Sequence, residues 1–173
     1  MNIPDFTKAC APATGGVASL RLIAADDLKP VTFNAAGTEC LMPQPAEGAA
    51  FTQIHMLENS ASYEQSATGV GALTEVEHRI VFGIALRDDA VTLIERLGEA
   101  SRMGGLAAVV ELNTGLELLV GYSSRLGGEQ PLLLTGCTVE TNAERNKRPS
   151  IRVVLSCRDG QWSAICCGSL SNV

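Results

Sequence analysis

Between Ser60 and Leu86 the chain carries two extended runs around a glycine-containing tip, Gly69-Val70-Gly71-Ala72-Leu73-Thr74. In the second run Val76, His78, Ile80, Phe82, Ile84 and Leu86 fall on one side, while Glu75, Glu77 and Arg79 fall on the other. Side chains alternate across a strand with period two, so this pattern specifies a half-buried strand. The first run, Ser60-Ala61-Ser62-Tyr63-Glu64-Gln65-Ser66-Ala67-Thr68, offers little that is apolar on either face. Core burial alone does not hold such an arm. A long hairpin with one apolar face needs a second layer from the rest of the chain.

The other segments supply candidates for that layer. After Gly15-Gly16, the run Val17 to Ala24 alternates, and Ala18, Leu20, Leu22 and Ala24 are expected to face the core. Short strands are predicted at Val31 to Phe33 and Phe51 to Leu57, separated by a Pro- and Gly-interrupted connection. Ala90, Leu93, Ile94, Leu97 and Ala100 form one stripe at helical spacing, predicting a helix over residues 88–103 that Gly104-Gly105 ends. Leu106 to Leu112 and Leu116 to Tyr122 flank Asn113-Thr114-Gly115, a tight hairpin turn. Leu132 to Thr141 and Ile151 to Cys157 are the closing strands, with a last strand around Trp162 to Cys166. About eight strands and one helix predict a mainly β protein: a two-sheet β-sandwich or partly open barrel with one flanking helix and a long extended hairpin.

Size and charge narrow the function. A chain of 173 residues fits one domain with its own core. Within that domain, 1–15 reads as an N-terminal arm, 60–86 as the long hairpin and 159–173 as a C-terminal extension. No apolar stretch approaches the ~18 residues that span a bilayer, so membrane insertion is not expected. Met1-Asn2-Ile3-Pro4-Asp5 has no basic segment leading an apolar run, and assembly in the cytoplasm is the expectation. The six cysteines are scattered, and reduced thiols are expected. A net charge of −6 argues against a firm grip on a phosphate backbone.

Catalytic patterns find little support. His78 sits at an inward position among aliphatic residues, which suits packing, and His55 on the run Phe51 to Leu57 has no partner that spacing nominates. Cys166-Cys167 lacks the C-x2-C spacing of a zinc pair. Neither Gly104-Gly105 nor Gly127-Gly128 opens a phosphate-binding pattern. Asp26-Asp27 and Asp88-Asp89 occupy a turn and a helix start, where capping explains them. The basic run Glu144-Arg145-Asn146-Lys147-Arg148 reads as a solvated loop tip. No cofactor, metal or catalytic residue is expected.

The order of elements carries a resemblance. Gly16-Val17-Ala18-Ser19-Leu20-Arg21-Leu22-Ile23, then Ser60-Ala61-Ser62-Tyr63-Glu64-Gln65, then Leu106-Ala107-Ala108-Val109-Val110-Glu111-Leu112-Asn113-Thr114-Gly115 resemble tail-tube proteins of phages of Bacteroidetes-type bacteria and of related contractile systems. The likeness covers about residues 16–158 and is one of pattern. It implies a virion tail protein whose subunits form stacked, six-membered rings through joined sheets, with other tail proteins as partners and DNA as a transient passenger. It places Ser62, Glu64, Gln65, Ser66, Thr68, Thr74, Glu75, Glu77 and Arg79 at the lumen or subunit interface. A tail terminator or adaptor ring shares the implied fold. The rival readings are a small monomeric or dimeric β-barrel binding module, and a hydrolase or metalloenzyme using Cys137, Cys157 or His55.

Overall fold

The computed structural model describes residues 15–69, 75–141 and 148–170. Within them lie ten strands and one helix: β1 (Val17–Ala24), β2 (Glu39–Leu41), β3 (Thr52–Gln53), β4 (Ser62–Thr68), β5 (Glu75–Ala85), α1 (Asp88–Met103), β6 (Leu106–Leu112), β7 (Glu117–Val120), β8 (Leu133–Glu140), β9 (Ser150–Asp159) and β10 (Ala164–Cys167). They form a six-stranded sheet, ordered β2-β10-β7-β6-β1-β3, and a four-stranded sheet, ordered β4-β5-β9-β8. Among the described residues the chain is thus mainly β, with two sheets and a single helix as expected, and the sheets are not closed into a barrel.

Side chains of both sheets meet in one core. Leu20 and Leu22 of β1 and Ala108 and Val110 of β6 share it with Ile80, Phe82 and Ile84 of β5 and Val153 and Leu155 of β9. Burying each large member contributes about 1.5–3 kcal/mol. The alternation of β5 is realised: Val76, His78, Ile80, Phe82 and Ile84 are buried, and Glu75, Glu77 and Arg79 are exposed. The helix adds its stripe to the same core, Ala90 and Leu97 buried and Leu93, Ile94 and Ala100 packed against them. Its N-cap is Arg87 with no side-chain cap, so Asp88 and Asp89 sit within the first turn and act there through the helix dipole, not as caps. The 3-10 turn Ala25–Asp27 likewise begins without a side-chain cap, so capping does not explain Asp26-Asp27 either.

The six-stranded sheet is covered on its second face too. Ile23, Ala107, Val109 and Leu119 lie buried there, under Leu28, Val31, Phe33, Phe51 and Tyr122. Ile23, expected to face solvent, is therefore only 4% exposed. The covering segment is mostly irregular. The expected strand Val31 to Phe33 reduces to a single bridge, Phe33 to Cys40, and the expected strand Phe51 to Leu57 to the two residues of β3. Its backbone is satisfied by cross-links instead, among them Lys29 N–H to Gln44 O at 3.0 Å and Leu41 N–H to Thr32 O at 2.9 Å. The last strand, β10, lies inside its sheet between β2 and β7 rather than extending away.

Candidate functional site

Seven of the nine nominated residues share one surface. Ser62, Glu64, Ser66 and Thr68 of β4 stand opposite Val81, Arg79, Glu77 and Glu75 of β5. Residues directly opposed across a strand pair project to the same face, so the register places these side chains together on the outer side of the four-stranded sheet. The next strand continues the rows: Arg79 opposes Ser156, Glu77 opposes Arg158 and Gly83 opposes Arg152. On β8, Thr138 and Glu140 stand beside Arg152 and Ser150.

The face is polar and mixed in sign. Its acidic groups are Glu64, Glu75, Glu77 and Glu140, and its basic groups are Arg79, Arg152 and Arg158, all exposed. Glu75 and Arg158 approach to 3.5 Å, with side chains 51% and 68% exposed. Such a pair is worth less than about 1 kcal/mol, so it tunes the surface field without holding the fold. The same sheet ends in two edge strands, and β8 gives its Leu134 N–H to Ser101 Oγ of α1 at 2.9 Å. β4 pairs only with β5 and β8 only with β9 among the described residues, and β8 shows Leu133 and Val139 to solvent, 42% and 54% exposed.

Gln65 belongs elsewhere. It opposes His78 on the inner face, is half-buried, and its Oε1 accepts the Ser163 N–H at 3.0 Å. Thr74 lies outside the described residues, as do the tip from Val70 onward and most of the basic run, of which only Arg148 is described.

Beneath the polar arm lies a buried polar network that spacing did not disclose. His78 is not surrounded by aliphatic side chains alone: its Nε2 is 3.1 Å from the Gln161 carbonyl and its Nδ1 is 2.9 Å from the Tyr63 hydroxyl. A carbonyl only accepts, so Nε2 carries the proton, Nδ1 accepts and Tyr63 donates. Burial pushes the His78 imidazolium below its ordinary range, opposed in part by the Gln161 carbonyl and the Asp159 carboxylate. Burial pushes the Tyr63 phenol well above its own. The network ties β4 to the segment leading into β10 and adds to the packing of Ala61 and Tyr63 against the core.

The residues of the rival enzyme reading have unlike surroundings. Cys157 faces the core, 8% exposed, and burial first and Asp159 second push its thiol up to about 12, away from thiolate chemistry at neutral pH. Cys137 is exposed on β8. His55 is exposed beside a groove of about 430 Å³ lined also by Arg87, Asp89 and Arg148. Among the described residues, no three His, Cys, Asp or Glu side chains are grouped as a metal ion needs.

Comparison with known proteins gives no match, whether to family models, to curated proteins or to solved structures.

Proposed function

We propose that this chain is a structural subunit of a phage tail tube, a virion protein assembling in the host cytoplasm into stacked rings, six subunits to a ring, through which DNA passes. The observation that carries the reading is the four-stranded sheet β4-β5-β9-β8, whose outer face is exposed and mixed in charge and whose two edge strands, among the described residues, pair with no further strand. Open edges present unpaired N–H and C=O groups and favour pairing with another strand. A copy offering β8 to the β4 of its neighbour makes a head-to-tail contact, and such a contact closes into a ring if its rotation allows.

The layers suit that role. In this reading the fold is a β-sandwich in which the six-stranded sheet, covered on both sides, is the outer wall, and the long hairpin lies toward the lumen. Four carboxylates interspersed with three guanidinium groups let a polyanion slide where a basic surface retains it. Other tail proteins are then the partners at the ends of the stack. A terminator or adaptor ring with the same fold is the variant of this reading, separated from it by whether rings stack. Light scattering across concentration tests the proposal: growth in discrete multiples of the subunit supports it, and an unchanging monomer at every concentration refutes it.

A further inference from the structure

Where β10 runs parallel to β2, Cys166 stands directly opposite Cys40. The two sulfur atoms are 3.7 Å apart. Both side chains enter the same apolar cluster with Val109, Leu119 and Ala164, so they point to one side of the sheet. Neighbouring strands lie about 4.8 Å apart, within the Cα separation of about 4.4–6.8 Å that a disulfide spans, so a rotation of the side chains suffices to bring the sulfur atoms to bonding distance. Cys40 is fully buried and Cys166 is half-buried, which leaves Cys166 as the sulfur a small oxidant reaches. The pair sits on the six-stranded sheet, and the outer face of the four-stranded sheet uses neither residue.

We propose that Cys40 and Cys166 form an oxidation-sensitive clip, in which a hydroperoxide converts the two thiols into a disulfide that pins the edge strand β2 to β10. Cys166, as thiolate, attacks the O–O bond and becomes a sulfenic acid, and the leaving alkoxide or hydroxide takes up a proton. The Cys40 sulfur then attacks the Cys166 sulfur. The S–S bond forms, the S–O bond breaks, and hydroxide leaves with the Cys40 proton as water. Two thiols give up two electrons and the peroxide accepts them. The hydrogen bond between the two sulfur atoms favours the charge on Cys40 and holds the Cys166 thiol above its ordinary range, with burial adding. Cys166, the reachable sulfur, must therefore first shed its proton, and the reaction accelerates as pH rises.

The consequence is mechanical. β2 is three residues long, lies at the sheet edge and belongs to the irregular segment that covers the second face of the sheet. The clip joins positions 126 residues apart, a long closure that restricts the unfolded chain strongly. The inference stands apart from the tube reading and holds for a monomer or a ring.

The full chain, purified reduced and treated with hydrogen peroxide, is digested without reduction and its peptides are mapped by mass spectrometry. The expected result is a Cys40–Cys166 linked peptide, loss of two titratable thiols, and a melting midpoint raised by about 5–15 °C that dithiothreitol reverses. Cys166→Ser is expected to abolish the shift. A link between Cys166 and Cys167, chains joined through Cys137, a sulfinic acid at Cys166 without a link, or an unchanged thiol count overturns it. The peptide map uses the unaltered chain, so a poorly folding variant does not obscure the outcome.

Discussion

The Tyr63 hydroxyl donates to Nδ1 of His78 across 2.9 Å and thereby fastens the polar arm of the hairpin to a strand of the core. Removing the donor leaves a buried ring nitrogen without its partner. Tyr63→Phe is therefore expected to destabilise the fold by about 1–3 kcal/mol in urea denaturation. Ser62→Ala, one residue away on the exposed face, is expected to change stability by less than about 0.5 kcal/mol. Equal effects from the two substitutions contradict the assignment of faces.

The same histidine sets a pH dependence. Its folded-state pKa is depressed by burial, so below the ordinary value of 6.5 the unfolded chain binds a proton that the folded chain resists. Stability is then fully present above about pH 6.5 and falls as pH drops below it, by at most about 1.4 kcal/mol per pH unit for one proton. Asp159, beside the ring, partly opposes the effect. Denaturation measured from pH 7.5 to 5 is expected to show this slope, and His78→Gln to flatten it; parallel slopes assign the acid loss to other groups.

Gly121 occupies φ 80° at the end of β7, and a Cβ there lies 2.6 Å from the Leu106 carbonyl oxygen and 3.0 Å from the Leu132 nitrogen. Both neighbours are backbone, and Leu106 and Leu132 exchange hydrogen bonds at 2.9 and 2.8 Å. Gly121→Ala adds an unfavourable left-handed conformation to a clash that cannot yield, at an expected cost of about 2–5 kcal/mol. Gly48 also has positive φ but meets nothing within 4 Å. Gly48→Ala is expected to cost only about 1 kcal/mol, and thermal melts of the two variants check the difference.

How much of this was legible in the sequence depended on range. The alternation of Val76 to Ile84 and the stripe Ala90 to Ala100 are local patterns, and both elements formed where their periods placed them. The segment 31–57 misled because its apolar residues, Val31, Phe33 and Phe51, cover a sheet face without lengthening it. Beyond β3 the chain leaves the sheet: Leu57 N–H bonds the Gly83 carbonyl at 2.8 Å, and Ser60 packs where Gly83 has no side chain. Candidate surface residues on β4 and β5 followed from alternation, and the same alternation sets Gln65 on the face opposite to Glu64 and Ser66; its partner Ser163, 98 residues away, is what spacing does not show. His78 and Gln161 are 83 residues apart, and no spacing rule joins them.

Val139 tests the open edge of β8. It is 54% exposed, so Val139→Lys is expected to leave monomer stability within about 0.5 kcal/mol. A lysine on an edge strand disfavours strand addition. Light scattering is expected to show impaired self-association in the variant at concentrations where the parent associates, and equal association excludes this edge from the contact.

Negative-stain electron microscopy of the purified full chain tests the tube proposal most directly. The expected result is rings or tubes of one constant width, lost in Val139→Lys. Featureless small particles at every concentration, even when preformed tail structures are added as seeds, contradict it.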